Sequence, residues 1–318
     1  MTFEVFKNGW RALMFQKLCF LIGAVAASML PFASDVRATD LSHTTTGSVS
    51  DGTASIPYRL FQPQGEAPGQ KVPLILFLQG MGDRGTDNVS QTGWMNNLAA
   101  KTSSGQYAAY VLAPQLSTSM WFSTSSNTPT EGMKLTLQAL HEAMKNPNVD
   151  TSRVYVTGLS MGGFGTWDIL RREPNTFAAA VPMSGGGDPS TAAVIKNTPI
   201  WAFHGSEDNV VSVDTTRNMV HALTDAGGSP KYTEIAGGGH AIWSDVYADA
   251  ENTLYPWLFD QRLGNGLDPA LVTRTIVATA RVAVPTVQVV AAAPPVPEPA
   301  SLGLLLLGGL SLLARNRR

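Results

Sequence analysis

Cysteine is nearly absent from this chain. Its one copy, Cys19, stands in an N-terminal apolar run, so no disulfide can close within the chain and no thiolate cluster can hold a metal. Charge is thin as well: Asp, Glu, Lys and Arg supply 14% of 318 residues, against about 25% in typical globular proteins. A net charge of −2 offers no basic footprint, so no nucleic-acid partner is expected. Apolar runs of membrane-spanning length are also missing, since residues 18–32 and 302–313 both fall short of the about 20 residues that cross a bilayer. What is plentiful is apolar residues, at 44%, and glycine, at 30 copies. That apolar content can fill one large core or two small ones.

The two ends read as addresses. Lys17 precedes the first apolar run, and Val36-Arg37-Ala38 follows it with small residues where a signal peptidase reads. Residues 1–38 are therefore expected to be a signal peptide cut after Ala38, with Met14 as a more compact start and an uncleaved anchor as the alternative. At the far end, Val296-Pro297-Glu298-Pro299-Ala300-Ser301 leads into the second apolar run and then Arg315-Asn316-Arg317-Arg318. These three parts resemble the PEP-CTERM sorting signal of Gram-negative bacteria that make exopolysaccharide. The resemblance implies an exosortase-type processing enzyme as a partner. It also implies that residues 296–318 sit transiently in the inner membrane, arginines on the cytoplasmic side. A plain C-terminal anchor is the alternative, and either way the body faces the periplasm, the cell surface or the extracellular matrix. Residues 266–295, rich in Ala, Val, Thr and Pro, read as a low-complexity spacer, which leaves 39–265 as the folded domain.

Along that body, strands alternate with helices. A hairpin is expected over Ser48–Phe61, turning at Asp51-Gly52. Strands follow at 72–78, 110–114, 154–157, 177–183, 200–203 and 231–235, and helices at 89–101, 130–144, 164–172, 214–226 and 246–263. The near-continuous apolar run at 72–78 suits a strand covered on both faces. This order predicts an α/β fold with a mostly parallel sheet flanked by helices and no large lid, and ligands at the C-terminal strand ends.

The chemistry-bearing residues fall in those loops. Gly158-Leu159-Ser160-Met161-Gly162 lies between a strand and a helix, the setting of a nucleophile elbow. Gly158 and Gly162 are expected because a Cβ at either would strike the neighbouring strand or helix. The Met161 N–H would point at a developing oxyanion. A serine needs a base, and the base an acid that fixes its tautomer, in the chain order Ser, Asp or Glu, His. His240, in Gly237-Gly238-Gly239-His240, is the candidate base, because it alone combines the chain order with a Gly-rich loop: His43 precedes the body, His141 and His221 lie in expected helices, and His204 ends an expected strand, where a structural hydrogen bond is its expected role. Asp208 is the candidate acid and Glu207 its alternative. A second oxyanion donor is expected from the loop after residues 72–78, where the Met81 N–H is the candidate; Asp83 and Arg84 could pair to brace that loop, or Arg84 could face the substrate.

Here the body resembles the α/β-hydrolase superfamily, in its exported esterase and predicted-peptidase branch related to polyhydroxybutyrate depolymerases and feruloyl or acetylxylan esterases. The matching pieces are Leu78–Asn88, Ala113-Pro114-Gln115, Gly158–Asp168, Trp201–Gly205 and Gly239-His240. The resemblance implies a Ser160, Asp208, His240 triad. It departs at Gln79, where the family has histidine. Gln79, Trp121 and Trp243 are candidate substrate contacts, although the aromatics could equally roof the core. The expectation is an exported serine carboxylesterase, needing no metal or cofactor, that acts on small or polysaccharide-linked acyl esters. A serine peptidase on the same residues and an inactive polysaccharide-binding relative are the alternatives.

Overall fold

A computed structural model describes residues 39–264, leaving out 124–126 and 250–251. The expected signal peptide, spacer and sorting tail lie outside the described residues. Eight strands form one sheet: β1 (Thr44–Ser50), β2 (Ser55–Phe61), β3 (Val72–Leu78), β4 (Tyr110–Pro114), β5 (Val149–Leu159), β6 (Ala179–Met183), β7 (Trp201–Gly205) and β8 (Lys231–Ile235). Their order is β1-β2-β4-β3-β5-β6-β7-β8. The β1–β2 hairpin pairs antiparallel and joins β4 antiparallel; every other pairing is parallel.

Among the described residues, seven α-helices flank the sheet: α1 (Asn96–Thr102), α2 (Glu131–Ala143), α3 (Met161–Arg172), α4 (Ala192–Ile195), α5 (Asp214–Asp225), α6 (Trp243–Ala248) and α7 (Leu254–Asp260). Every residue of β3 is buried, as a central parallel strand requires. The period of two along a strand then sorts its side chains between two cores. Leu74, Leu76 and Leu78 pack with Met133, Leu140, Trp167, Met219 and Leu223 of α2, α3 and α5. Ile75 and Phe77 pack with Leu98, Tyr247, Tyr255 and Leu258 of α1, α6 and α7. The chain leaves β3 for β4 on one side and returns from α2 to β5 on the other. This reversal opens a crevice at the carboxyl ends of the strands. At the opposite end of the sheet, the Leu263 N–H donates to Ser152 O at the start of β5 (2.8 Å), so the last described residues leave from there.

Two expected helices are corrected. Residues 89–101 hold a 3-10 turn at Ser90–Thr92 and only then α1. The side chain of Asp87 accepts from the Val89 and Ser90 amides and stops a continuous helix from starting there. The expected helix 246–263 is two short ones, because Asp249 enters the left-handed region at φ 45°. Its carboxylate then accepts from Thr253 N (2.8 Å) and Leu254 N (3.0 Å) and starts α7 anew.

Candidate active site

The turn between β5 and α3 is strained. Ser160 has φ 54° and ψ −117°, and its N–H donates to Met183 O (3.0 Å) on the next strand. A non-glycine residue at such a φ costs on the order of 1–3 kcal/mol, which the surrounding packing must impose. The neighbours allow no slack: a Cβ on Gly158 would lie 2.4 Å from Gly162 O, and one on Gly162 would lie 1.9 Å from Leu78 O. The two glycines thus have the close contacts their spacing predicted.

The turn after β7 carries Asp208 and the turn after β8 carries His240. They meet because Gly205 lets β7 approach the His240 loop; a Cβ there would sit 2.2 Å from both Gly238 O and Gly239 O. His240 Nε2 lies 2.9 Å from Ser160 Oγ, and His240 Nδ1 lies 2.7 Å from Asp208 Oδ2. Asp208 Oδ1 accepts from Val210 N (2.8 Å) and Val211 N (2.9 Å). Burial works against its charge, but hydrogen bonds from His204, His240 and the Val211 amide outweigh it and hold the carboxyl well below the usual carboxylate range. Glu207, the alternative acid, is exposed, and the structure brings only Asp208 to the imidazole.

Met81 opens a 3-10 turn, Met81–Asp83, and Met161 opens α3. The first N–H of a helical turn has no partner within it and carries the positive end of the dipole. The two turns are adjacent, since a Cβ on Gly162 would lie 2.8 Å from Gln79 O. The Met81 turn is held at both ends. Asp83 Oδ2 accepts from Gly80 N (3.1 Å), and Arg84 Nε donates to Met81 O (3.2 Å) while its Nη1 donates to Thr118 O (3.1 Å). Asp83 and Arg84 therefore brace the loop through its backbone rather than through each other. Burial raises the Asp83 carboxyl to about 7, against the opposing hydrogen bonds from Gly80 and Trp94. Further along, Gln115 Nε2 donates to Asp87 Oδ1 (2.8 Å), Asn88 N donates to Gln115 Oε1 (2.6 Å), and Arg59 Nε donates to Asn88 O, tying the same loop to β4 and β2.

Three sequence expectations are corrected. Gln79 and Trp121 have no exposed surface, and Trp243 is 5% exposed, so none presents a face to substrate. The Trp121 ring N–H donates to Gln79 O (2.9 Å), and Gln79 Nε2 donates to Leu116 O (3.3 Å): both roof the core. Trp243 backs the imidazole. Phe122 is half-buried and stacks on Phe164 of α3 at 4.8 Å between ring centroids. Sequence reasoning missed Ser184, at φ 46°, whose Oγ donates to His240 O (2.9 Å). The Gly185-Gly186-Gly187 run after β6 was the available signal. Among the described residues, no group of three or more His, Cys, Asp or Glu could hold a metal ion.

Against known proteins, residues 90–253 match the Dienelactone hydrolase family, half of the chain or more. The chain belongs to that family. This dienelactone hydrolase family member also matches the PEP-CTERM protein-sorting motif at 295–318. It is 27% identical over 201 residues to the bifunctional acetylxylan esterase/xylanase XynS20E of Neocallimastix patriciarum, covering 62% of this chain and 27% of that protein. Over 67 residues it is 42% identical to the poly(3-hydroxyalkanoate) depolymerase C of Paucimonas lemoignei, which is 21% of this chain and 16% of that one. The dienelactone hydrolase family member thus spans well under half the length of these two relatives. Among solved structures, a thermostable esterase superposes with a TM-score of 0.64 at 36% identity, over 70% of this chain and 64% of that one. The mostly parallel sheet with flanking helices is the α/β-hydrolase fold, as the sequence predicted.

Proposed function

We propose that this protein is an exported serine esterase that works through an acyl-enzyme intermediate. The observation that carries the reading is the unbroken line from Ser160 Oγ through His240 to Asp208, at 2.9 Å and 2.7 Å. In this reading Ser160 Oγ attacks the ester carbonyl carbon while His240 Nε2 takes its proton. Asp208 holds the Nδ1–H tautomer and steadies the cation that forms. The Met81 and Met161 amides face the oxyanion, and loss of one such donor typically costs about 10²–10³ in kcat. His240 then returns the proton to the leaving alcohol, and a water repeats the attack on the acyl-enzyme.

The substrate class follows from what borders the serine. Ser160 is half-buried, no long insertion separates the described strands around it, and half-buried Phe122 stacks on Phe164, whose N–H donates to Ser160 O. A shallow, open site suits a small ester or an acyl group on a polysaccharide better than a long lipid. The esterase names of the relatives support ester over amide. The sorting motif supports export, with a signal peptide over 1–38, a catalytic domain over 39–265, a spacer and an exosortase-processed tail. Among the described residues no helix is long and apolar enough to cross a membrane.

The test is a panel of p-nitrophenyl esters of increasing acyl length, with acetylated and feruloylated glycans and peptide anilides alongside, run on the wild type and on Ser160→Ala. Hydrolysis of short esters that vanishes in the variant supports the reading. Faster turnover of anilides would make the protein a peptidase. Binding of glycan with no covalent labelling of Ser160 by a fluorophosphonate would make it an inactive relative.

A further inference from the structure

Asp208 is held by two histidines. His204, the fourth residue of β7, and Asp208 both have fully buried side chains. His204 Nε2 lies 3.1 Å from Asp208 Oδ2, the same oxygen that meets His240 Nδ1 at 2.7 Å. It also lies 3.0 Å from Val211 O. Both neighbours of Nε2 are acceptors, so this nitrogen carries a proton and donates. Oδ1 thus takes two backbone amides, while Oδ2 takes the His240 N–H and shares the single His204 Nε2 proton with Val211 O.

We propose that His204 is a positioning residue for the acid–base pair: its Nε2–H fixes the plane of the Asp208 carboxylate and moderates the pull of Oδ2 on the His240 proton. The inference rests on the reading of Ser160, His240 and Asp208 given above. A carboxylate oxygen that shares its charge with a second donor stabilises a neighbouring imidazolium less than one that faces it alone. A histidine that served only to pack β7 against α5 would be satisfied without Asp208, by Val211 O on one nitrogen and Thr216 Oγ1 (2.7 Å) on the other. The contact with Oδ2 is additional to both.

The same network reaches the loop after β6. Thr216 Oγ1 lies 2.5 Å from Gly185 O as well as 2.7 Å from His204 Nδ1, and the adjacent Ser184 Oγ donates to His240 O. One loop thereby anchors the His240 backbone directly and the His204 ring through Thr216. The charged and titratable groups around His204 are few. Asp208 and the exposed Glu207 follow it on its own loop, and His240 lies across the shared oxygen. Glu234 sits opposite in the β7–β8 register, paired by Arg217 of α5 at 2.6 Å.

The test compares His204→Phe, which keeps a ring without a donor, and His204→Gln, which keeps a donor of similar reach. Each is assayed on p-nitrophenyl acetate from about pH 5 to about pH 9, and its His240 ring is titrated by NMR. In His204→Phe, kcat is expected to fall about tenfold or more with KM held within about twofold, the loss of a hydrogen bond to a charged group. The acidic limb of the kcat/KM profile and the His240 titration should both move to higher pH by about half a unit or more. His204→Gln should recover most of both effects. A lower melting temperature with an unmoved His240 titration would make His204 merely structural and overturn the inference. Should His204→Phe not fold, the ¹⁵N-histidine spectrum of the wild type decides, because a His204 Nε2 bare of its proton at neutral pH is equally fatal. Esters cleaved no faster by the wild type than by Ser160→Ala would instead overturn the proposed function, while the NMR titration still reads the His204 contact.

Discussion

Trp243 stands edge-on to the His240 ring, with centroids 5.3 Å apart and planes at 89°. Trp94 meets Trp243 the same way at 5.6 Å and 77°, so the imidazole is backed by a wall of two indoles. Replacing Trp243 with alanine removes a side chain that is 5% exposed and should destabilise the fold by about 3–5 kcal/mol. Trp243→Phe keeps an aromatic edge and should cost much less. Urea denaturation of the two variants checks the order, and the alanine variant should also lose more in kcat than in KM, since the ring it frees is the proposed base.

Ser160 at φ 54° gives a second expectation. Glycine adopts that backbone without strain, so Ser160→Gly should gain about 1 kcal/mol. For a domain of this size that is about 2–4 °C in Tm. Ser160→Ala, which keeps a Cβ, should show no such gain. Both should abolish hydrolysis. Calorimetry on the pair separates backbone strain from loss of the hydroxyl.

Asp83 makes stability depend on pH. Its carboxyl is raised from 3.8 to about 7 by burial, so the folded state binds a proton that the unfolded chain releases. Between those values the folded state holds more protons, and stability falls as pH rises. The stabilisation is whole at acid pH and gone above about 7, a swing on the order of 2–4 kcal/mol. Asp83→Asn keeps an acceptor for Gly80 N–H without the titration. Urea denaturation at about pH 5 and about pH 8 should show the wild type losing that much more than the variant over the interval. Equal slopes would mean that Asp83 titrates normally.

Of the two neighbouring acids, only Asp208 touches His240. Asp208→Asn should lower kcat by about 10⁴, the cost of the wrong imidazole tautomer, whereas Glu207→Gln should stay within about twofold of the wild type. Steady-state kinetics with a chromogenic ester distinguishes them.

What the sequence made legible follows the range of the forces involved. Strands β3 and β8 coincide with their expected bounds, because a run of apolar or alternating residues ended by Gly-rich turns is a local signal. The meeting of Ser160, Asp208 and His240 was legible through the regular spacing of α/β units, which returns each loop to the same edge. The fates of Gln79, Trp121 and Trp243 were not. Each depends on what α2, α3 or α1 lays over it, and no neighbour in sequence reports that. Strand β5 begins at Val149, five residues before its apolar run, because Val149 pairs with Val72 across a register shift. Likewise the break at Asp249 depends on its own side chain capping α7, a choice that periodicity cannot register.

The hydrogen bond from Leu263 to Ser152 has a consequence for how the molecule would be displayed. The last described residues are tied to Ser152, near the start of β5, most of that strand's length away from Ser160 at its head. A tether on the residues that follow 264 would therefore pull on the end of the sheet opposite Ser160, leaving the rim that carries Ser160 and His240 clear of it.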